Sequence, residues 1–249
     1  VYSPDGLRAI LFDLDGTLRH NLPPRGEVFA SCATGLGLQV HSEDRLRAAR
    51  WEHYYFAMSP QVRADRKKFV SDENGFWVNF ARRRLIALGA SRAQAEALSP
   101  QVSQYMRTSY QPQSWIPPEA FEILSSLEDA GYILGVVSNR DNAYENQLAE
   151  WGLGNYFSFS LAGGEVNAYK PKAAIFKHAL HRAGARASES IYVGDNFYAD
   201  VVGARNAGLG AVLYDPNGTF PDPGCAVIDS FNQLPALLEG RPAWLGNDM

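Results

Sequence analysis

"ILFDLDGTLRH", residues 10–20, ends an apolar run in two aspartates two positions apart and follows them at once with Gly-Thr. A buried strand must surface somewhere, so a single acid at its end is ordinary. Two acids flanking one leucine are harder to explain by packing. Alternate residues of an extended chain face the same way, so Asp13 and Asp15 start out close together, and like charges repel. The pair points to a chemical task that outweighs the repulsion.

Working outward from Ala9–Leu14, similar short apolar runs rich in β-branched and aromatic residues occur at Ile133–Ser138, Ser190–Val193, Ala211–Tyr214 and Ala226–Ile228. Such runs fit strands buried on both faces. Helical patterns lie among them at Pro118–Ala130, Asn142–Trp151, Lys172–Ala183 and Asn196–Ala207, with Gly131, Gly152, Gly184 and Gly208 just beyond as stop signals. Strand alternating with helix implies an α/β fold, a doubly wound, Rossmann-like parallel sheet with helices on both faces.

Residues 22–112 break the alternation, offering helices and no convincing strand. Trp51, Tyr54, Tyr55 and Met58 fall at helical spacing, as do Trp77, Ala81, Arg84 or Leu85, and Leu88. Ser91 and Gln94 suggest a capping box, and Ser99-Pro100 reads as an N-cap with proline at the first helical position. The proline-rich stretches "LPPRG" and "QPQSWIPP" bound the segment. The expected organisation is a core of residues 1–21 and 113–249 interrupted by a small all-helical domain, 22–112. The insert carries thirteen basic against eight acidic residues and the remainder ten against nineteen, so the two parts differ in sign. Its aromatic stripe reads as helix-on-helix packing, and Arg63, Arg66, Lys67, Lys68 and Arg82–Arg84 as a solvated basic face.

The 249 residues are 46% hydrophobic and 20% charged, which excludes a disordered or fibrous chain. No apolar run is long enough to span a bilayer, and no groove-reading or base-stacking module is visible, so neither membrane nor nucleic acid is an expected partner. Cys32 and Cys225 show no zinc or disulfide spacing, and a reducing cytoplasm is the expected compartment. The oligomeric state is not legible.

In an open parallel sheet, functional groups gather at the C-terminal strand ends. There stand Asp13 and Asp15, then Ser138-Asn139, then Lys170 after "FSFSLAGGEV", then Asp195 and Asp200 in "GDNFYAD". A hydroxyl, a lysine and four carboxylates point to one site that holds a divalent cation and an oxyanion.

The pieces "DLDGT", "VVSN", "YKP" and "VGDNFYADVVGARNAG", in that order, resemble the haloacid dehalogenase superfamily of phosphohydrolases, with residues 22–112 where that family places a helical cap. The resemblance implies a magnesium-dependent phosphohydrolase acting on a small phosphorylated metabolite through an aspartyl-phosphate. Asp13 corresponds to the nucleophile and Asp15 to the general acid and base. Mg2+ is expected on Asp13, the main-chain carbonyl of Asp15, and Asp195. Ser138 and the Asn139 N–H are expected on phosphate oxygens, with Gly16 and Thr17 shaping the adjoining turn. Lys170 supplies fixed positive charge, and Asp200 orients Lys170 or the water around the metal. The dehalogenases and phosphonatases of the superfamily lack the second aspartate, so Asp15 favours a phosphomonoester. Arg19-His20-Asn21 and "NAYKPKAAIF" depart from the usual phosphatase pattern without removing a catalytic group. A phosphomutase, or a non-catalytic binding protein, on the same scaffold remains open at this point.

Overall fold

The computed structural model describes residues 6–239. Strand β1 (Ala9–Phe12) is followed by β2 (His20–Leu22) and five helices: α1 (Arg25–Gly35), α2 (Ser42–Phe56), α3 (Pro60–Lys68), α4 (Glu73–Ala87) and α5 (Arg92–Thr108). After β3 (Gln113–Trp115) come α6 (Pro118–Asp129), β4 (Ile133–Ser138), α7 (Glu145–Glu150), β5 (Phe159–Ala162) and α8 (Ala173–Ala183). β6 (Ser190–Gly194), α9 (Val202–Asn206), β7 (Gly210–Tyr214), β8 (Ala226–Ile228) and α10 (Leu234–Glu239) complete the described residues. Two compact units result, one of residues 21–115 and the other built from the chain on either side.

The larger unit holds a six-stranded sheet in the order β5-β4-β1-β6-β7-β8, with every neighbouring pair parallel. All four residues of β1 are fully buried, because helices cover both faces. Ile10, Phe12, Val136 and Val193 pack on one side against Leu124 and Leu127 of α6 and Leu234 of α10. Leu11, Val137, Tyr192 and Leu213 pack on the other against Ile175, Phe176 and Ala179 of α8. The alternation within each strand is the period-two pleat of an extended chain. This is the Rossmann-like architecture expected from the sequence, and Gly131, Gly152, Gly184 and Gly208 all adopt positive φ at helix ends.

Several element boundaries differ from expectation. β1 ends at Phe12 rather than Leu14, because Thr17 and Arg19 both donate backbone N–H groups to the Leu14 carbonyl and turn the chain there. β5 was not among the expected strands; its serine-interrupted sequence lacks a clean apolar run. α7 is shorter than the expected 142–151. The helix expected from Asn196 begins as a π-helical turn, Phe197–Val201, capped by the Asn196 side chain accepting from the N–H groups of Tyr198 and Ala199.

The smaller unit is not purely helical, since the short polar strands β2 and β3 pair in a two-stranded sheet. Its helices bury Phe29, Ala33, Ala81, Leu85 and Val102 in one cluster and Tyr55, Val62 and Phe80 in another. Tyr54, expected in the same stripe, is exposed, and Met58 lies beyond α2 at positive φ. The expected basic face is partly consumed inside. Arg83 grips the buried Asp65 with both arms, at 2.7 and 2.9 Å, while Tyr55 donates to Asp65 at 3.0 Å. Arg84 is buried, paired with Glu52 and laid over the Phe29 ring.

Ser91 and Gln94 do form the capping box. Pro100 does not start a helix, however: it sits inside the continuous α5. A proline there cannot donate to the carbonyl four residues back, and the Ser99 hydroxyl donates to that same Glu96 carbonyl in its place, at 3.4 Å. Pro100 is exposed and packs into no core. Replacing it with alanine restores the backbone donor and a better helix former, so Pro100→Ala is expected to raise stability by about 1–3 kcal/mol in urea unfolding. A lower midpoint would show that α5 needs the proline.

Candidate active site

The site is assembled at the C-terminal ends of β1, β4 and β6 and the loop before α8. Asp13 follows β1 directly, its N–H donating to the Val193 carbonyl at 2.9 Å. Its carboxylate accepts from the Lys170 ammonium at 2.5 Å. The same ammonium reaches Asp200 at 2.7 Å and donates to the Tyr192 hydroxyl at 2.9 Å. The Tyr192 hydroxyl in turn donates a hydrogen bond to the Val137 carbonyl at 2.7 Å. Asp13, Lys170, Tyr192 and Asp200 are all buried.

The amide of Asn139 fixes the backbone that carries Lys170. Its Oδ1 accepts from the Lys170 N–H at 2.6 Å, and its Nδ2 donates to the Lys170 carbonyl at 3.0 Å. Ser138 is buried at the end of β4, beside this clamp. Asp200 sits in the π-helical turn, where its carboxylate accepts from the Asn196 N–H at 2.9 Å.

Asp195 comes in from the loop after β6 and is held by Thr17. The Thr17 hydroxyl accepts from the Asp195 N–H at 2.9 Å and donates to its carboxylate at 3.3 Å, so this hydroxyl faces Asp195. Gly16 has a φ of +100°, and a Cβ there would lie 2.3 Å from an Asp195 carboxylate oxygen. Both the backbone conformation and the closeness of Asp195 demand glycine. His20 braces the same turn, donating from Nε2 to the Thr17 carbonyl at 2.9 Å with its ring beside Tyr214. Burial pushes the His20 pKa down, which suits that neutral, donating role.

Carboxylate oxygens of Asp13, Asp195 and Asp200 converge within 4.8 Å of one another. Burial, with the neighbouring Asp200, pushes the Asp13 carboxyl up from its usual 3.8 to about 7 against the opposing pull of Lys170. Burial and the charges of Asp13 and Asp200 likewise raise Asp195. Burial disfavours the Lys170 ammonium, but Asp13 and Asp200 outweigh it and hold the pKa well above the ordinary lysine value. Three carboxylates thus face one permanent cation. Hard oxygen donors in excess negative charge are the donor set that a divalent cation such as Mg2+ takes.

Asp15 does not join this cluster. Its carboxylate lies in the fork of Arg140, at 2.7 and 2.8 Å, with Arg19 at 3.4 Å. Arg140 is itself held by Gln147 and by the faces of Tyr144 and Trp151, each 5.6 Å away. The two aspartates of the opening motif therefore part company at the Leu14 turn. Neither Arg140 nor Tyr192 was singled out from sequence. Arg140 directly follows Ser138-Asn139, and Tyr192 stands three residues before Asp195, so adjacency to the motifs was the available signal.

A family model for haloacid dehalogenase-like hydrolases matches residues 7–208. The chain belongs to this family. It is 28% identical to ribulose-1,5-bisphosphate 5-phosphatase of Halopiger xanaduensis over 84% of this chain and 85% of that one. It is 26% identical to phosphoglycolate phosphatase of Pectobacterium atrosepticum over 83% and 79% of the two chains. Among solved structures, 2-haloacid dehalogenase from Pseudomonas syringae aligns with a TM-score of 0.52 and 26% identity over 93% of this chain and 98% of that one. In this hydrolase, unlike a generic lysine at a strand end, Lys170 has its ammonium fully engaged.

That engagement gives a test. Tyr192→Phe removes a hydrogen bond from a buried ammonium and another from a buried carbonyl, and water cannot replace either. Urea unfolding is expected to show a loss of about 1–3 kcal/mol. An unchanged midpoint would mean that Tyr192 contributes only its ring.

Proposed function

We propose that this hydrolase is a magnesium-dependent phosphatase of small phosphomonoesters that works through an aspartyl-phosphate on Asp13. The observation that carries the reading is the convergence of Asp13, Asp195 and Asp200 around Lys170 at the strand ends. Relatives named as phosphatases over most of their length support it. By its place in the chain, the helical unit corresponds to the family's cap.

Asp13 attacks the substrate phosphorus; the new Oδ–P bond forms as the ester P–O bond breaks. Asp15 delivers a proton to the departing alkoxide. Its carboxylate then takes a proton from the water that attacks the aspartyl-phosphate, releasing inorganic phosphate and free Asp13. In the resting arrangement Asp15 is paired with Arg140, so Arg140 must loosen its fork for the proton to pass. Lys170 balances charge on nucleophile and phosphoryl group, while Ser138 and the Asn139 N–H bind phosphate oxygens. Asp200 orients Lys170, and Tyr192 shares that task. Asp13, the Asp15 carbonyl and Asp195 would hold Mg2+, which when bound neutralises carboxylate charge and polarises the phosphoryl oxygens. The second aspartate favours phosphoester over carbon–halogen chemistry, since a halide leaves without a proton.

Phosphate release from a panel of phosphomonoesters, with magnesium and with EDTA, tests the reading. Asp13→Asn keeps size but removes the nucleophilic charge, and is expected to abolish turnover while leaving the fold intact. Asp15→Asn is expected to be as damaging with alkyl esters but milder for the first step with nitrophenyl phosphate, whose leaving group needs no proton. Full activity in Asp13→Asn would sink the mechanism.

The cluster also predicts how metal and pH interact. In EDTA the folded chain keeps protons on Asp13 and Asp195 that the unfolded chain has already released. Stability then falls as pH rises from about 4 through about 7. Magnesium stabilises only the ionised cluster, so the rise in Tm it produces is expected to be larger at about pH 8 than at about pH 5.5. Equal shifts at the two values would remove these carboxylates as the metal site.

A further inference from the structure

The helical unit carries a cavity of about 200 Å³, partly open to solvent, whose walls come from α1, α4 and α5: Arg25 and Phe29, Trp77 and Phe80, Ser103 and Arg107. At roughly 30 Å³ per water, it has room for a small organic molecule. Its lining is poorly explained by packing alone. The Ser103 hydroxyl is buried and has no hydrogen-bond partner among the described residues. Arg25 lies over the faces of Trp77 and Phe80, at 5.1 and 5.6 Å, and among the described residues no carboxylate pairs with it or with Arg107. Acids of the same unit are committed elsewhere, Glu27 to Arg45 at 2.6 Å and Glu52 to Arg84. Arg84, its charge answered by Glu52, stacks on Phe29 from within the unit.

The cavity thus offers two guanidinium groups without a carboxylate partner, the half-buried Arg25 and the exposed Arg107, with three aromatic walls and one buried hydroxyl that bonds to nothing. A neutral apolar guest would leave the half-buried Arg25 without a counter-charge and the Ser103 hydroxyl without an acceptor. A bare inorganic ion would leave the rings unused. We propose that this cavity is a binding site for a small organic anion, a carboxylate or phosphate on a flat apolar body. Arg25 and Arg107 take the charge, Ser103 donates its hydroxyl to it, and Phe29, Trp77 and Phe80 take the body. The site is built wholly from the helical unit and uses none of the residues of the carboxylate cluster. It stands whether or not the chain hydrolyses phosphoesters.

The whole chain, kept in EDTA, is titrated calorimetrically with benzoate and phenylphosphonate as anionic probes and with benzamide as the neutral match. At least one anion is expected to bind saturably and benzamide not to bind. Arg107→Gln and Ser103→Ala are each expected to weaken anion binding by about fivefold or more. Ser103→Ala loses a hydroxyl that bonds to nothing, so its Tm is expected to hold or rise, which separates lost binding from lost folding. Asp13→Asn is expected to leave anion affinity unchanged. The proposal fails if neither anion binds, if benzamide binds as well as the anions, or if Arg107→Gln and Ser103→Ala leave affinity intact. It fails equally if Asp13→Asn changes affinity, because the anion then sits among the carboxylates.

Discussion

The Lys170 ammonium, buried between Asp13 and Asp200 and touching Tyr192, is the contact on which the larger unit is organised. A lysine cannot be taken out of water without counter-charge, and a carboxylate cannot either. Each of these groups is tolerable only because the others are in place. The sheet order supplies the arrangement: β1 lies between β4 and β6, so Asp13 emerges beside both the Asn139 clamp and the Asp195–Asp200 loop. Glycine is required wherever backbone must come close. At Gly194 a Cβ would lie 2.4 Å from an Asp200 oxygen, as one at Gly16 would collide with Asp195.

The cluster is also deliberately unbalanced in charge. One ammonium faces three carboxylates, and burial, with the charge of Asp200 added to it, pushes Asp13 up to about 7 against the pull of Lys170. A divalent cation would relieve the same excess of negative charge. Asp15 stands outside that balance because Arg140 compensates it locally. Two carboxylates separated by a single leucine are thereby given different electrostatic surroundings, which supports the different roles proposed for them.

The helical unit follows the same rule, with one buried charge of each sign. Its buried charges are Arg84, answered by Glu52, and Asp65, answered by Arg83 and Tyr55. These pairs take Arg83 and Arg84 out of a basic stretch that composition alone suggests is a solvated face. Arg25 and Arg107, which have no carboxylate partner among the described residues, line the cavity.

The sequence by itself determined the parallel α/β sheet, the insertion of a mainly helical unit, the family, and the residues that meet at the strand ends. Those are legible because period-two burial, glycine stops and acids at strand ends are local or ordered along the chain. What only the tertiary structure decided is partnership. Asp15 turns to Arg140 rather than to Asp13, Thr17 spends its hydroxyl on Asp195, Asn139 clamps Lys170, and Tyr192 supports it from inside the sheet. The Ser99 hydroxyl replaces a missing backbone donor and lets α5 run through Pro100. In each case the partner is chosen by which buried polar group lacks one, and that is set by contacts between residues as far apart in sequence as Asp13 and Lys170.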